Sequence, residues 1–168
     1  MNVQEEVYDV VDIHDNVTGQ ATRREIHAQD LLHRSVHIFV FNPEGHLFLQ
    51  KRSLNKDENP GMWDTSSAGH VDSGEDYQTA AHRELMEELS ISETLLPFMK
   101  IKASPETFWE HVIAYTCTTQ KSIQINPLEI QEGRFWSLNE IETALSLTPR
   151  QFTSTFKIIF FDYLKKIG

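Results

Sequence analysis

The chain has 168 residues, 39% hydrophobic and 24% charged, a composition that builds one domain with its own core and excludes disordered, collagen-like and disulfide-framework classes. Fifteen Lys and Arg against 25 Asp and Glu leave a formal charge of −10, which disfavours a nucleic-acid polymer as ligand but allows a small phosphorylated molecule reached through a divalent cation. Cys117 is the single cysteine, so no intrachain disulfide forms; MNVQEEVYDVVD lacks the marks of a secretory signal and no apolar run approaches the ~20 residues of a membrane span, so a soluble cytoplasmic protein is expected.

In chain order, two successive β-hairpins come first. Val7 to Ile13 is β-branched and apolar, His14 to Gly19 supplies Asp15, Asn16 and Gly19 for a turn, and Gln20 to Arg24 returns. Val36, Ile38 and Val40 then alternate with His37, Phe39 and Phe41, and Asn42-Pro43-Glu44-Gly45 turns the chain into a second period-two strand, Leu47 to Arg52. Ser53 to Ser67, with Asn55, Asn59, Pro60-Gly61 and Asp64, reads as a long loop of the kind that carries function. Glu75 to Leu89 holds Ala80, Ala81, Leu85, Met86 and Leu89 without internal proline or glycine, which predicts a helix. Val112 to Thr119 and Ser122 to Ile125 read as strands around Gln120-Lys121. Ser137 with Glu140 opens a short helix, and Thr148, Pro149 and Gln151 open a longer one carrying Phe152, Phe156, Ile159, Tyr163 and Ile167. The order predicts an α+β fold, a three-layer α/β/α sandwich around a mixed sheet, as one domain over 1–168.

Chemistry concentrates on the central helix. Glu84, Glu87 and Glu88 stand at i, i+3 and i+4, so three carboxylates share one face while Ala81, Leu85 and Leu89 occupy another. Like charges so placed repel, and a hard divalent cation such as Mg²⁺ removes that cost. Gly69, then Glu75, then Arg83-Glu84-Leu85-Met86-Glu87-Glu88-Leu89-Ser90-Ile91 resembles the signature of the Nudix hydrolases, with eight of nine specified positions matching across 23 residues. Ser90 departs, standing where the pattern has glycine. It follows the helix, where a left-handed residue is expected and serine costs about 0.5 to 1 kcal/mol.

The resemblance implies a Nudix-like fold with a loop-helix-loop in which Glu84, Glu87, Glu88 and the Gly69 carbonyl hold Mg²⁺ or Mn²⁺. Arg83 and Glu75 form a supporting ion pair. It implies hydrolysis of a diphosphate linked to another group, X, with Glu84 as first candidate for the general base and Glu129 or Glu132 as later-loop candidates. The substrate is then a nucleoside diphosphate linked to X, or a free nucleotide. A small-molecule diphosphate is the expected partner, with no nucleic-acid polymer and no membrane, and a homodimer is left open.

Outside that signature, His33-Arg34, VHIFVFN, LQKRS with Lys56, Pro60-Gly61-Met62-Trp63 and Ser66-Ser67-Ala68-Gly69-His70 resemble the Nudix branch that includes isopentenyl diphosphate isomerase. Ala68 stands where that branch has its catalytic cysteine, and alanine has no ionisable proton. Cys117 lies in an expected strand far along the chain and reads as a buried apolar residue. Glu110, in Trp109-Glu110-His111-Val112, keeps one carboxylate of the isomerase's acidic pair. The resemblance makes His27, His33 and His70 candidates for a second metal site, with Zn²⁺ or Mn²⁺ suited to imidazoles, and Arg52, Lys56 and His70 candidates for substrate contact. Trp63, Phe108 and Trp109 are candidates to stack a base or cover X. Hydrolysis is favoured; an isomerase-like protein and a catalytically silent ligand-binding module are the alternatives.

Overall fold

In this computed structural model residues 5–168 are described. The first hairpin forms as expected, β1 (Val7–Val11) against β2 (Val17–Thr22), with Asp15 left-handed at the turn (φ 66°). It does not run on to Arg24. Thr22 and Glu25 make a reciprocal capping box that converts the next residues into a helix, α1 (Arg23–Gln29). β3 (His33–Phe41) and β4 (Leu47–Arg52) are the second hairpin, joined directly only at Val40 with Phe48 and Phe41 with Leu47. The long loop contains the short β5 (Trp63–Asp64) and ends in β6 (Ser67–His70).

The helix α2 (Tyr77–Leu89) starts where the Asp76 side chain accepts from Thr79 N and stops at Ser90, which is left-handed at φ 58°. β7 (Leu96–Ile101) follows, then β8 (Glu110–Thr118). Ser122 to Ile125, expected as a strand, is a connector instead: its backbone is drawn to the end of α2, where Gln124 N donates to Leu89 O and Asn126 N to Glu88 O. Those carbonyls are left open by helix geometry, so the connector acts as their cap. After β9 (Ile130–Trp136), α3 (Leu138–Leu147) has the expected Ser137/Glu140 box. Thr148 does not cap the segment that follows, its hydroxyl donating back to Ala144 O at the end of α3; Pro149–Gln151 is a 3-10 turn, and Thr153 caps the longer helix α4 (Ser154–Ile167).

The main sheet runs β5-β4-β3-β8-β7, with β6 on β3 and β9 on β4. Among the described strands only β3 and β8 pair in parallel, which makes the sheet mixed as expected. Alternation along β3 splits the core. Val36, Ile38 and Val40 pack with Leu85 and Leu89 of α2, whereas Phe39 and Phe41 pack with Phe152, Phe156 and Phe160. The sheet is thus sandwiched between α2 and the late helices, and each fully buried aromatic or aliphatic contributes roughly 1.5–3 kcal/mol. Cys117 sits in the α2-side core, and burial pushes its thiol up to about 12. Trp63 packs edge-on against Trp136 on the α4 side, ring centres 5.0 Å apart, so it fills core rather than stacking a ligand.

Asp15 ties the first hairpin to the sheet and to α2. It accepts from Arg34 Nε at 2.6 Å, Lys100 Nζ at 2.7 Å and Tyr77 OH at 2.8 Å. Burial opposes its charge, but these donors outweigh burial and hold the carboxyl below its ordinary 3.8. A lowered folded-state value stabilises the fold above the unfolded value, and the contribution shrinks as pH falls through the folded one. Asp15→Asn, which keeps tolerance of the left-handed turn, is expected to cost about 1–2 kcal/mol at pH 7, and less at pH 3, in urea titrations. Ser90→Gly should raise stability by about 0.5–1 kcal/mol, visible as a melting temperature higher by a few degrees.

Candidate functional site

Arg83 organises the carboxylate face of α2. Its Nε and Nη2 grip both oxygens of Glu75 at 2.9 Å, Nη1 donates to Glu84 at 2.8 Å, and Nη2 also reaches the His70 carbonyl at 3.0 Å. The Glu75–Arg83 pair expected from the sequence is present as a bidentate fork. Glu88 is 4% exposed and accepts from Ser67 Oγ and Ala68 N, both at 2.8 Å, and from Gln50 Nε2 at 3.2 Å. Burial still raises its pKa against those donors. Glu84 is pushed up to about 8, by burial first and by the Glu88 charge second. Glu87 is exposed, 3.3 Å from Arg83 Nη1.

Gly69 stands against Glu84. A Cβ built on it would lie 2.1 Å from the Glu84 carboxyl carbon and one oxygen, so a side chain there would force that carboxylate to move. A buried and a part-buried carboxylate that repel each other, beside an unhindered backbone, fit a hard divalent cation, the group this face would hold.

A second cluster lies on the other face of β6. His33 Nε2 and His70 Nε2 approach one Glu110 oxygen at 3.4 and 3.0 Å, and the three ligand atoms lie within 4.8 Å of one another. Both Nε2 atoms are buried without a well-aligned hydrogen bond. His33 Nδ1 lies 2.9 Å from the Leu31 carbonyl, which accepts its proton, so in the neutral ring Nε2 aims a lone pair at the carboxylate. A shared cation resolves that opposition. Burial resists charge on His33, but Glu110 raises its pKa, and against burial the two imidazoles hold Glu110 well below the carboxylate range. Of the sequence-based set of His27, His33 and His70, the structure brings His33 and His70 together with Glu110. Glu110 completes the cluster, while His27, its ring centre 6.4 Å from that of His33, is engaged by Glu58 at 2.9 Å.

Arg52 and Lys56 both line the cleft between these clusters. Arg52 Nη1 is 3.6 Å from Asp64, and Lys56 pairs with Glu129. Of the two later-loop carboxylates, Glu129 lines the Glu84–Glu88 side, whereas Glu132 is exposed on β9 opposite Lys51. Phe108 lines the cleft and Trp109 lies behind it, both left-handed at φ 55° and 63°. Sequence reasoning missed Arg23, which borders both parts of the cleft, and Ser35, His37 and Asp64, which line its wall. The period-two pattern of β3 carried the signal for Ser35 and His37, two polar residues on an otherwise aromatic stripe. Among the described residues no helix is long and apolar enough to cross a membrane.

A model of the NUDIX domain matches residues 31–156. Isopentenyl-diphosphate Delta-isomerase of Pectobacterium atrosepticum is 32% identical over 90% of this chain and 87% of that protein. An uncharacterized Nudix hydrolase of Streptomyces coelicolor is 37% identical over 67% of this chain and 65% of its own. Among solved structures, DR0079 from Deinococcus radiodurans superposes with a TM-score of 0.75 at 28% identity, covering 85% of this chain and 90% of that one.

Gly69→Ala is expected to displace Glu84 and weaken Mg²⁺ binding about 10–100-fold in calorimetric titrations, with helix content unchanged by circular dichroism. Unchanged affinity would show that the carboxylate yields without consequence.

Proposed function

The chain belongs to the NUDIX domain family, and from that premise we propose that it hydrolyses the diphosphate linkage of a small metabolite, a nucleoside diphosphate linked to another group or a free nucleotide, using Mg²⁺ or Mn²⁺. The observation that carries this reading is the pairing of Glu84 and Glu88 beside Gly69, with Arg83 clamped by Glu75. Glu84, Glu87, Glu88 and the Gly69 backbone are the residues that would hold the cation. When bound, it supplies Lewis-acid stabilisation of the charge that develops on the diphosphate.

The protein's own groups supply the rest. Arg52, Lys56 and Arg23 offer cationic contacts to phosphate oxygens along the cleft. Glu84 accepts the proton of the water whose oxygen attacks phosphorus as the bridging P–O bond breaks; Glu129, held by Lys56, is the other carboxylate placed for that task. Arg83 and Glu75 hold Glu84 in orientation, and Ser67, Ala68 and Gln50 hold Glu88.

Likeness to named isomerases supports a second reading, and so does the His33, His70 and Glu110 cluster, which suits Mn²⁺ or Zn²⁺. Against it stands Ala68 on the cleft wall, with Cys117 opposite Val40 in the α2-side core and its thiol held neutral. No thiol reaches the cleft.

Release of the monophosphate products from a panel of nucleotides and dinucleotides, with and without Mg²⁺, tests the hydrolase reading. Glu88→Gln is expected to lower divalent-dependent release at least about 100-fold. It should not lower the melting temperature, because it removes a buried like charge beside Glu84, and it should abolish the rise in melting temperature that Mg²⁺ produces. Binding without release would identify a silent ligand-binding module. Double-bond migration in isopentenyl diphosphate, followed by NMR, would establish the isomerase reading in its place.

A further inference from the structure

Beyond β6, on the side away from Glu84, the cleft continues past Ala68 into a small space whose walls are polar where its neighbours are aromatic. Side chains alternate along a strand, so Ser35 and His37 face the same way as Phe39 and Phe41, and their partners across the ladder, His70 and Ala68, face with them. Phe39 meets Phe156 with ring centres 6.2 Å apart; two and four residues earlier on the same stripe stand an imidazole and a hydroxyl.

Their hydrogen bonds are arranged for a guest. Thr65 Oγ1 gives its proton to the Ser67 carbonyl at 3.2 Å and so accepts from His37 Nδ1 at 2.8 Å, which leaves His37 Nε2 as an acceptor without a partner. Asp64 Oδ1 is already occupied by Thr65 N at 2.7 Å and Thr153 Oγ1 at 3.1 Å, while Oδ2 faces Arg52. Ser35 is 2% exposed, lines this space, and its hydroxyl has no hydrogen-bond partner. An unpaired buried hydroxyl destabilises the chain that carries it, so it needs a reason.

We propose that this space is the subsite for the group X, and that Ser35 and His37 select a small hydroxyl-bearing, sugar-like group over a hydrocarbon chain of the same size. The proposal rests on the diphosphate reading above and deepens it. The cavity measures about 100 Å³, so a five-carbon group enters by size whether it is a sugar or an alkenyl chain. Chemistry of the wall then decides. A hydrocarbon leaves Ser35 unpaired, strips water from His37 and Asp64 and returns nothing, whereas a hydroxyl donates to His37 Nε2 and pairs with Ser35. Arg23 and Lys56, which border both this space and the Glu84–Glu88 face, fix the diphosphate between the two.

The test uses two five-carbon diphosphates, ribose 5-diphosphate and isopentenyl diphosphate, together with their methylene-bridged analogues, which bind but cannot be cut. Calorimetry of the whole protein with Mg²⁺ should show the ribose analogue binding at least tenfold more tightly than the isopentenyl one. Ser35→Ala should reduce that preference about tenfold, with a melting temperature equal to or above wild type because an unpaired hydroxyl has gone. A wild-type preference for the isopentenyl analogue, equal binding of both, or a preference that survives Ser35→Ala overturns the proposal. Selective binding of the ribose analogue with no phosphate released from ribose 5-diphosphate supports this subsite and counts against the hydrolase reading alone. Failure of both analogues to bind overturns both.

Discussion

Two carboxylates one helical turn apart, both taken out of water, set the terms for the rest of this molecule. Glu84 and Glu88 raise each other's cost of ionisation, and Arg83 answers only part of it, because its fork is divided between Glu75 and Glu84. Much of the surrounding architecture follows from keeping this face assembled. Gln50 from β4 and Ser67 and Ala68 from β6 tether Glu88; a residue without a side chain stands against Glu84; and the connector after β8 covers the carbonyls at the end of the helix. A helix with such a charge deficit is poised for an inorganic counter-charge rather than for solvent.

Legibility varied with the kind of signal. The helix α2 and its left-handed end at Ser90 were readable because each rests on short spacings along one element, whereas the Arg83–Glu75 fork was expected only from the family resemblance. β7 escaped notice because Pro97 interrupts an edge strand, and α1 because seven residues give little periodicity, although its Thr22/Glu25 box was visible in the sequence. Ser122 to Ile125 has a strand's composition but spends its amides on α2, a tertiary choice that composition does not record. The same holds for the histidine cluster. His33 and His70 were identifiable individually, but the approach of Glu110 to them depends on β3 and β8 lying side by side, which places His33 opposite Glu110.

The relatives that this chain resembles carry two kinds of name, isomerase and Nudix hydrolase. The chain shares substantial identity with named isomerases, and it brings imidazoles and a carboxylate together on one side of β6. On the other side it keeps the full set of glutamates. β6 separates the two: Gly69 faces the helix, and Ala68 and His70 face the cleft. Four residues of strand thereby serve two chemically different surfaces, which is a direct result of the two-residue period of extended chain.

The parallel pairing of β3 with β8 joins residue 33 to residue 110, and this has a bearing on how the molecule is made. Every hydrogen-bonding side chain or amide that grips Glu84 or Glu88 lies before residue 91. The partners of Glu84 and Glu88 are therefore all present in the chain before Glu110 is added, and the imidazoles wait for a long-range ladder to form. Maturation of the protein is in this sense ordered, with one binding surface complete in covalent terms before the other has its last member.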